Sequence, residues 1–371
     1  MCKAVRYTAM GMKVAFVLLL SSQFATATPG AEGFVAGPKL RSHHHHEEVF
    51  VALGEMGARR ARDPLLPRGR VRSRGGGEAK MTADLHLDDP PELRGRRSEK
   101  EAVHRVVFMR HGECHWNRDN RFLGWADIGL TEDGEKEARK AAHTLAEFDV
   151  HVDEVFCSYL KRSIKSAWLL ADEMNQSWMP IQTDWRLNEQ MYGALQGLNK
   201  HATAERYGTE LTQQWRRSYD IAPPAVPGGR GYFPVGDVKY AALTEDDIPA
   251  SWCGSPNTES LKDAQARSWV FWRERMMPRL KAGKTVLICG HGNIIRSMLK
   301  RLDGIPNDVL KQVTIPRAIP LVYDLDENFM PVSTPDSHGP LGGRFLGSAL
   351  ELAEAFEGES VQAQLGGCTS R

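Results

Sequence analysis

Two short apolar runs, each leading into a histidine beside glycine, constrain the fold of this chain most. Val106–Met109 leads directly into Arg110–Glu113, which reads Arg-His-Gly-Glu. Far downstream, Thr285–Cys289 leads into Gly290–Gly292, which reads Gly-His-Gly. Runs of this length and composition predict buried strands of a parallel sheet. Because such strands present their chemistry where they end, the two histidines are expected to meet at one edge of the sheet.

This arrangement suits a histidine that handles phosphate. Gly112 leaves space beside the ring of His111, so a backbone carbonyl can fix one ring nitrogen as N–H and leave the other as a nucleophile. Arg110 offers a planar fork of donors for phosphate oxygens, and His291 can donate to the same phosphoryl group. A lone histidine at a strand end would be read as an ordinary core residue, but the repeated pattern favours catalysis.

A third apolar run, Val155–Cys157, precedes Arg162. A helix is predicted to begin there, and its first turn would direct free N–H groups and Arg162 toward an anion. The apolar face of that helix is expected to consist of four residues at helical spacing. These are Ile164, Ala167, Trp168 and Ala171. Taken alone, Lys161 and Arg162 would be read as an ordinary solvated pair.

The chain as a whole predicts an α/β domain with a mostly parallel sheet and helices on both faces. Thr131 is expected to cap a helix with a small apolar face. A second long helix is predicted from Thr258 past Phe271 toward Lys281, and Pro320–Leu325 is predicted as the last core strand.

At this point the chain resembles the histidine phosphatase superfamily and, within it, the bisphosphoglycerate-dependent phosphoglycerate mutases. The resemblance runs from about Val106 to Asn328, with a weaker echo in Arg344–Gly347. Beyond the two histidine motifs it depends on four blocks that simple phosphatases of the superfamily lack. These are Asn120–Trp125, Leu187–Glu189, Tyr192–Lys200 and Gln214–Arg217. It implies a phosphoglycerate mutase-like fold.

The resemblance assigns roles to particular residues. It implies that His111 carries the phosphoryl group, that His291 stabilises it during transfer, and that Glu189 is the general acid and base for the substrate hydroxyl. Arg110, Asn117 and Arg162 are expected to bind the phosphoryl group at the histidine. The remaining substrate contacts, for a second phosphate or a carboxylate, are expected from Leu123, Gly124, Tyr192, Lys200, Arg216, Arg217, Gly292 and Asn293. No metal is expected, because arginines and imidazoles supply the positive charge.

Several residues near the expected site depart from the family pattern. Gln190 and Met191 replace an Arg-His pair, which predicts the loss of one cationic phosphate contact. Leu123 replaces a smaller residue, Ile294 replaces a serine, and Arg317 is expected to restore the charge lost at Gln190. A long loop around Pro223–Gly231 is predicted to cover the substrate, and a stretch around 250–256 is read as an insertion.

Three functions remain open. The favoured one is interconversion of 3-phosphoglycerate and 2-phosphoglycerate in glycolysis or gluconeogenesis, through a phosphohistidine primed by 2,3-bisphosphoglycerate. The alternative is a histidine-dependent phosphatase of a small phosphorylated metabolite. A non-catalytic binding protein on the same fold is the third. The expected partners are small phosphorylated metabolites, and the resemblance also implies a homo-oligomer, either dimer or tetramer.

The first hundred residues differ in character from the rest. Residues 1–27 resemble a secretory signal, with basic residues before an apolar run too short to span a membrane. Residues 28–102 are rich in Gly, Arg and Pro and are read as a disordered or transit-type leader. Residues 103–350 form the expected catalytic domain, and 351–371 a C-terminal tail. The leader resembles the two-part plastid leaders of algae with complex plastids, whereas members of the family are otherwise cytoplasmic.

Composition narrows the function classes. The formal net charge is +1 over 371 residues, which argues against a nucleic-acid or general membrane surface. The six cysteines show no CxxC pair and no zinc spacing. Cys157 and Cys289 end predicted strands and are expected to be reduced core residues, which favours a reducing compartment.

Overall fold

A computed structural model of the chain describes residues 101–226, 237–241 and 258–363. The predicted signal, nearly all of the leader, the glycine-rich part of the long loop and the stretch 250–256 lie outside the described residues. The described residues belong to one compact unit that spans residues 85–371. Within them, no helix combines the length and the apolar character that a membrane span requires.

A six-stranded sheet forms the centre of the described part, in the order β3-β2-β4-β1-β5-β6. The first four strands in this order are parallel, and β5 and β6 are antiparallel, which confirms the predicted mostly parallel sheet. The short edge strand β3 was not predicted, and β6, at the weak echo of the family pattern, follows the strand that was expected to be last. The strands are β1 (His104–Arg110), β2 (Glu154–Cys157), β3 (Ile181–Thr183), β4 (Val286–Gly290), β5 (Leu321–Leu325) and β6 (Arg344–Phe345).

Helices cover both faces of the sheet because side chains alternate along the strands. In β1, Val106 and Phe108 join one buried cluster, whereas Val107 and Met109 join the cluster on the opposite face. A π-helical turn, Trp272–Met276, joins α6 to α7. The helices are α1 (His115–Arg118), α2 (Glu132–Glu147), α3 (Lys161–Glu173), α4 (Lys200–Tyr207), α5 (Thr209–Arg217), α6 (Leu261–Phe271), α7 (Met277–Lys281), α8 (Gly292–Asp303), α9 (Asn307–Leu310) and α10 (Ala349–Ala363).

The helix capped by Thr131 forms as predicted. The side chain of Thr131 accepts a hydrogen bond from the backbone N–H of Gly134, and Leu145 is buried on the apolar face of α2. The predicted second long helix also forms, although it begins at Leu261, with Ser260 and Asp263 as a capping box.

The predicted apolar face of α3 is wrong at one residue. Trp168 is 60% exposed, while Ala167 and Ala171 are buried. The buried face of α3 is instead completed by Leu170 and by two serines, whose hydroxyls donate to backbone carbonyls and so can be buried at little cost. The two serines also accept from the backbone N–H groups of Ser158 and Gly112, so they face the sheet edge where the expected site lies.

The C-terminal helix α10 packs on the core that surrounds β5 and β6. Leu352 and Phe356 contact the large buried cluster of that face. Phe356 also stacks on the ring of His338, with 4.6 Å between ring centroids, and lies edge-on to Phe345. These contacts fix the position of the helix against the domain.

The free energy of unfolding is expected to depend far more on Leu145 than on Trp168. Leu145→Ala removes a fully buried side chain of α2 and should lower the free energy of unfolding by about 2–5 kcal/mol. Trp168→Ala, on the exposed face of α3, should change it by less than about 1 kcal/mol. Urea denaturation of both variants, followed by tryptophan fluorescence and circular dichroism, measures the difference. Equal losses would contradict the assignment of the two helix faces.

Candidate functional site

His111 lies at the end of β1, where its backbone N–H donates to the carbonyl of Gly290 in the neighbouring strand, 3.0 Å away. Nδ1 of His111 is 2.7 Å from the carbonyl oxygen of Gly112. A carbonyl only accepts, so Nδ1 carries the proton and Nε2 has the lone pair. Gly112 is required here because a Cβ atom would overlap the backbone of Gly134.

Arg162 reaches His111 from the first turn of α3. Its Nε donates to Nε2 of His111 at 3.2 Å, and its other donors bind the carbonyls of Gly124 and Ala126 at 2.9 and 2.8 Å. The guanidinium is fully buried. Gly124 contributes its carbonyl from a backbone with φ of +52°, and a Cβ there would overlap the side chain of Gln196.

His291 lies beside His111, with 5.0 Å between the ring centroids. Its Nε2 is 2.8 Å from the hydroxyl of Ser158, and that hydroxyl accepts from the backbone N–H of Leu160 at 3.1 Å. When the hydroxyl of Ser158 donates to Nε2, the ring proton of His291 lies on Nδ1. Among the described residues Nδ1 has no hydrogen-bond partner, although it is buried. An unpartnered buried donor beside a nucleophile suits a developing negative charge.

Both imidazoles are kept neutral. Burial, followed by the charges of Arg162 and Arg110, lowers the pKa of His111 well below its ordinary value. Burial, followed by Arg162 and His111, does the same to the pKa of His291. A neutral imidazole is the form that can attack phosphorus, so His111 is in its nucleophilic form at neutral pH.

A polar cavity opens in front of His111. It is lined by nearly all of the predicted substrate contacts and by several residues that the sequence did not single out. The predicted ones are Arg110, Asn117, Leu123, Glu189, Tyr192, Lys200, Arg216, Arg217, Gly292 and Asn293. The others are Arg121, Phe122, Arg296, Thr314, Ile315 and Glu359. Arg162, His291 and Gly124 lie behind this lining, around His111.

Glu189 projects into the cavity from a clamped backbone. Its carbonyl accepts from the indole N–H of Trp125 at 2.6 Å and from Arg267 at 3.0 Å. Arg267 in turn forms a buried ion pair with Glu259 at 2.7 Å. The Glu189 carboxylate is half-buried and accepts from the backbone N–H of Gln190 at 2.9 Å. The fixed backbone holds this carboxylate at the mouth of the phosphoryl position.

Gln190 does not face the cavity. Its side chain is buried, donates to the carbonyl of Glu259 at 2.8 Å and accepts from Nδ2 of Asn293 at 2.9 Å. The same Nδ2 donates to the hydroxyl of Tyr192 at 2.7 Å, and Arg296 donates to the Asn293 carbonyl oxygen at 2.8 Å. Gln190 therefore orients Asn293 and does not itself line the cavity. The loss of one cationic phosphate contact at this position stays a prediction.

Arg317, the expected substitute cation, binds carboxylates of the chain itself. It contacts Glu359 at 2.9 Å and Glu137 at 3.7 Å, and it is not among the residues that line the cavity. Glu359 also pairs with Arg110 at 2.8 Å. No sequence signal pointed to Glu359, because it lies in the stretch read as a tail.

Sequence reasoning also missed Arg296 and Ser158, although each left a signal in the sequence. Arg296 follows Asn293 by three residues in α8, which places both on one face of that helix, and burial lowers its pKa to about 9. This spacing after the Gly-His-Gly motif was a usable signal. Ser158 directly follows strand β2, and a hydroxyl at that edge of the sheet was another usable signal.

A family model of the histidine phosphatase superfamily (branch 1) matches residues 106–232 and 238–329. Several solved structures are similar in fold. A mycobacterial glucosyl-3-phosphoglycerate phosphatase is 23% identical, with a TM-score of 0.45, over 59% of this chain and 92% of its own. An alpha-ribazole phosphatase from Shigella flexneri is 21% identical, with a TM-score of 0.43, over 66% of this chain and 98% of its own. A protein titled mycobacterial hydrolase 1 is 20% identical, with a TM-score of 0.47, over 66% and 97%.

The affinity of the cavity for anions is expected to fall as pH rises through neutrality. Burial, followed by Arg216 and Arg110, lowers the pKa of Lys200 to about 7, so Lys200 is cationic below that pH and neutral above it. Between pH 6 and 8.5 the dissociation constant for sulfate, whose own charge is constant, should rise by about tenfold. Isothermal calorimetry measures it.

Lys200→Arg is the matched control, because a guanidinium stays charged across this range. The pH dependence of sulfate binding should largely disappear in this variant. If both proteins lose affinity in parallel, a group other than Lys200 titrates.

Proposed function

Because this chain belongs to the histidine phosphatase superfamily (branch 1), we propose that it transfers phosphoryl groups through Nε2 of His111. The observation that carries this proposal is the protonation of the histidine pair. The Gly112 carbonyl holds the proton of His111 on Nδ1, and burial, followed by the charges of Arg162 and Arg110, keeps the ring neutral. Nε2 therefore carries the lone pair. That lone pair accepts from Nε of Arg162 in this structure, and it becomes available to phosphorus when Arg162 turns to the phosphoryl oxygens.

The transfer step follows from this geometry. Nε2 of His111 attacks phosphorus, the bond from phosphorus to the ester oxygen breaks, and the phosphoryl group stays on the histidine. Arg162 and the Nδ1 proton of His291 face the negative charge that builds on the equatorial oxygens. Glu189 gives a proton to the departing oxygen and takes one from the next acceptor.

The finer proposal is a phosphoglycerate mutase, in which a substrate hydroxyl takes the phosphoryl group back. The support is the number of cations beyond the phosphoryl position. A 3-phosphoglycerate molecule carries a carboxylate as well as a phosphate, and 2,3-bisphosphoglycerate, the expected primer, carries more charge still. Such ligands match a wall that contains several guanidinium and ammonium groups. These are Arg121, Lys200, Arg216, Arg217 and Arg296.

The second candidate is a phosphatase of a small phosphorylated metabolite, in which water takes the phosphoryl group. The observation that favours it is the carboxylate of Glu359, which already occupies Arg110 and so reduces the charge left for a second anionic group. The half of the mechanism that loads His111 is the same in both candidates. Only the acceptor differs.

The purified protein is therefore tested with labelled 2,3-bisphosphoglycerate and then with 3-phosphoglycerate. Label should appear on His111 as an acid-labile, alkali-stable phosphate, and 2-phosphoglycerate should form faster than free phosphate. His111→Ala should abolish the label, whereas His115→Ala, at an exposed histidine of α1, should retain it.

The outcome separates the candidates. Free phosphate that outpaces 2-phosphoglycerate would favour the phosphatase. Label that persists in His111→Ala, or that maps to His291, would contradict the assigned nucleophile and with it the proposed function.

Glu189→Gln should lower turnover by roughly a hundredfold or more while the protein still takes label from the donor at a lower rate, because proton transfer is lost in both half-reactions and binding is kept. Steady-state kinetics together with the labelling assay measure both effects. Glu210→Gln, at an exposed carboxylate of α5, is the control and should behave as the parent chain does. A change in the Michaelis constant alone would remove Glu189 from the chemistry.

A further inference from the structure

The cavity contains a carboxylate that the transfer mechanism does not use. Glu359, from the C-terminal helix α10, lines the cavity with a side chain that is only 11% exposed. One of its oxygens lies 2.8 Å from Arg110 and the other 2.9 Å from Arg317. Arg110 adjoins the phosphohistidine position. The Glu359 carboxylate therefore pairs with a cation that a ligand would otherwise contact.

Glu359 is held there by the packing of its helix. Leu352, Phe356 and Glu359 recur at spacings of four and three residues, so they share one face of α10. The first two bury that face against the core, and the third therefore points toward the sheet edge. At the beginning of the helix, Ser348 and Glu351 exchange hydrogen bonds that satisfy its first turn. The carboxylate is thus built into the domain.

The carboxylate stays ionised. Burial alone would raise the pKa of Glu359, but Arg110 and Arg317 beside it bring the pKa below its ordinary value. An ionised carboxylate among cations attracts them as a ligand's own carboxylate would. It also repels any further negative group that approaches the same cations, and the repulsion is large where water is excluded.

We propose that Glu359 is a specificity-determining residue, which weakens the binding of ligands with a second anionic group relative to ligands with a single phosphate. A phosphate at His111 has Arg162 and His291 as partners besides Arg110. A second anionic group must instead approach Lys200, Arg216 and Arg217, whose positive charges Glu359 already offsets. The proposal rests on the proposed function in one respect, namely that the ligand binds in this cavity.

The test compares two probes on the full chain by isothermal calorimetry. Inorganic phosphate carries one anionic group, and 3-phosphoglycerate carries a phosphate and a carboxylate. Glu359→Gln keeps the shape of the side chain and removes its charge. It should tighten the binding of 3-phosphoglycerate by about tenfold and that of phosphate by less than about twofold. Glu357→Gln, at an exposed carboxylate of the same helix, should change neither.

A purely structural role for Glu359 predicts a different pattern. If Glu359 only held Arg110 in place, Glu359→Gln would weaken the binding of both probes, and that result overturns the proposal. An equal gain in the binding of both probes also overturns it, because removal of the charge would then favour every anion and would not distinguish the two ligands. Glu359→Asp, which keeps the charge and shortens the side chain, serves if the neutral variant fails to fold. It should give a smaller shift in the same direction, and the absence of any difference between the probes contradicts the proposal.

The two proposals fail in distinguishable ways. If His111 takes label and the variants show no difference between the probes, the role of Glu359 is wrong and the proposed function stands. If the parent chain takes no label and binds neither probe, the proposed function is wrong, and the role assigned to Glu359 is wrong with it.

Discussion

The pairing of β1 with β4 is the interaction on which the site depends. These strands are parallel, and Arg110 lies opposite Gly290 at their carboxyl ends. Each strand then leads into a histidine. The backbone hydrogen bond from the N–H of His111 to the carbonyl of Gly290 holds the two strand ends side by side. Two segments about 180 residues apart in sequence are thereby brought together around a space that can hold one phosphorus atom. The strand β2, on the other side of β4, adds Ser158 and Arg162 at the same edge.

Electrostatic balance is the second organising constraint. Arg162 is buried without a carboxylate partner in direct contact among the described residues, and it is neutralised instead by carbonyl dipoles and by His111. The outer cations of the cavity lie close to one another, and burial, followed by Arg216 and Arg110, lowers the pKa of Lys200 among them to about 7. A protein of net charge +1 therefore concentrates its positive charge at one place. Glu359, together with Glu189, is a carboxylate of the cavity lining that relieves part of this repulsion.

Sequence reasoning succeeded where the signal was local. The strands that carry the histidines, the helix that begins at Lys161 and the cap at Thr131 follow from patterns within a few residues. It failed where a side chain's direction is decided by tertiary contacts. Gln190 follows a cavity residue in sequence, and only the folded structure shows that its amide bonds Glu259 and Asn293. Glu359 is about 250 residues from its partner Arg110, and no periodicity within α10 indicates which cation it will meet.

The group that orients the nucleophile belongs to the peptide backbone. The carbonyl of residue 112 is present whatever side chain that residue has. Single side-chain substitutions would therefore detect a requirement for His111 but would not detect its hydrogen-bond partner. The dependence would instead be recorded as intolerance of a Cβ at Gly112, which would overlap the backbone of Gly134, and of a Cβ at Gly134, which would overlap the backbone of Glu113. Two glycines that look like packing requirements thus maintain the backbone on which the protonation state of the His111 ring depends. A redesign of this site would have to preserve the backbone conformation around Gly112 as well as the identities of the side chains.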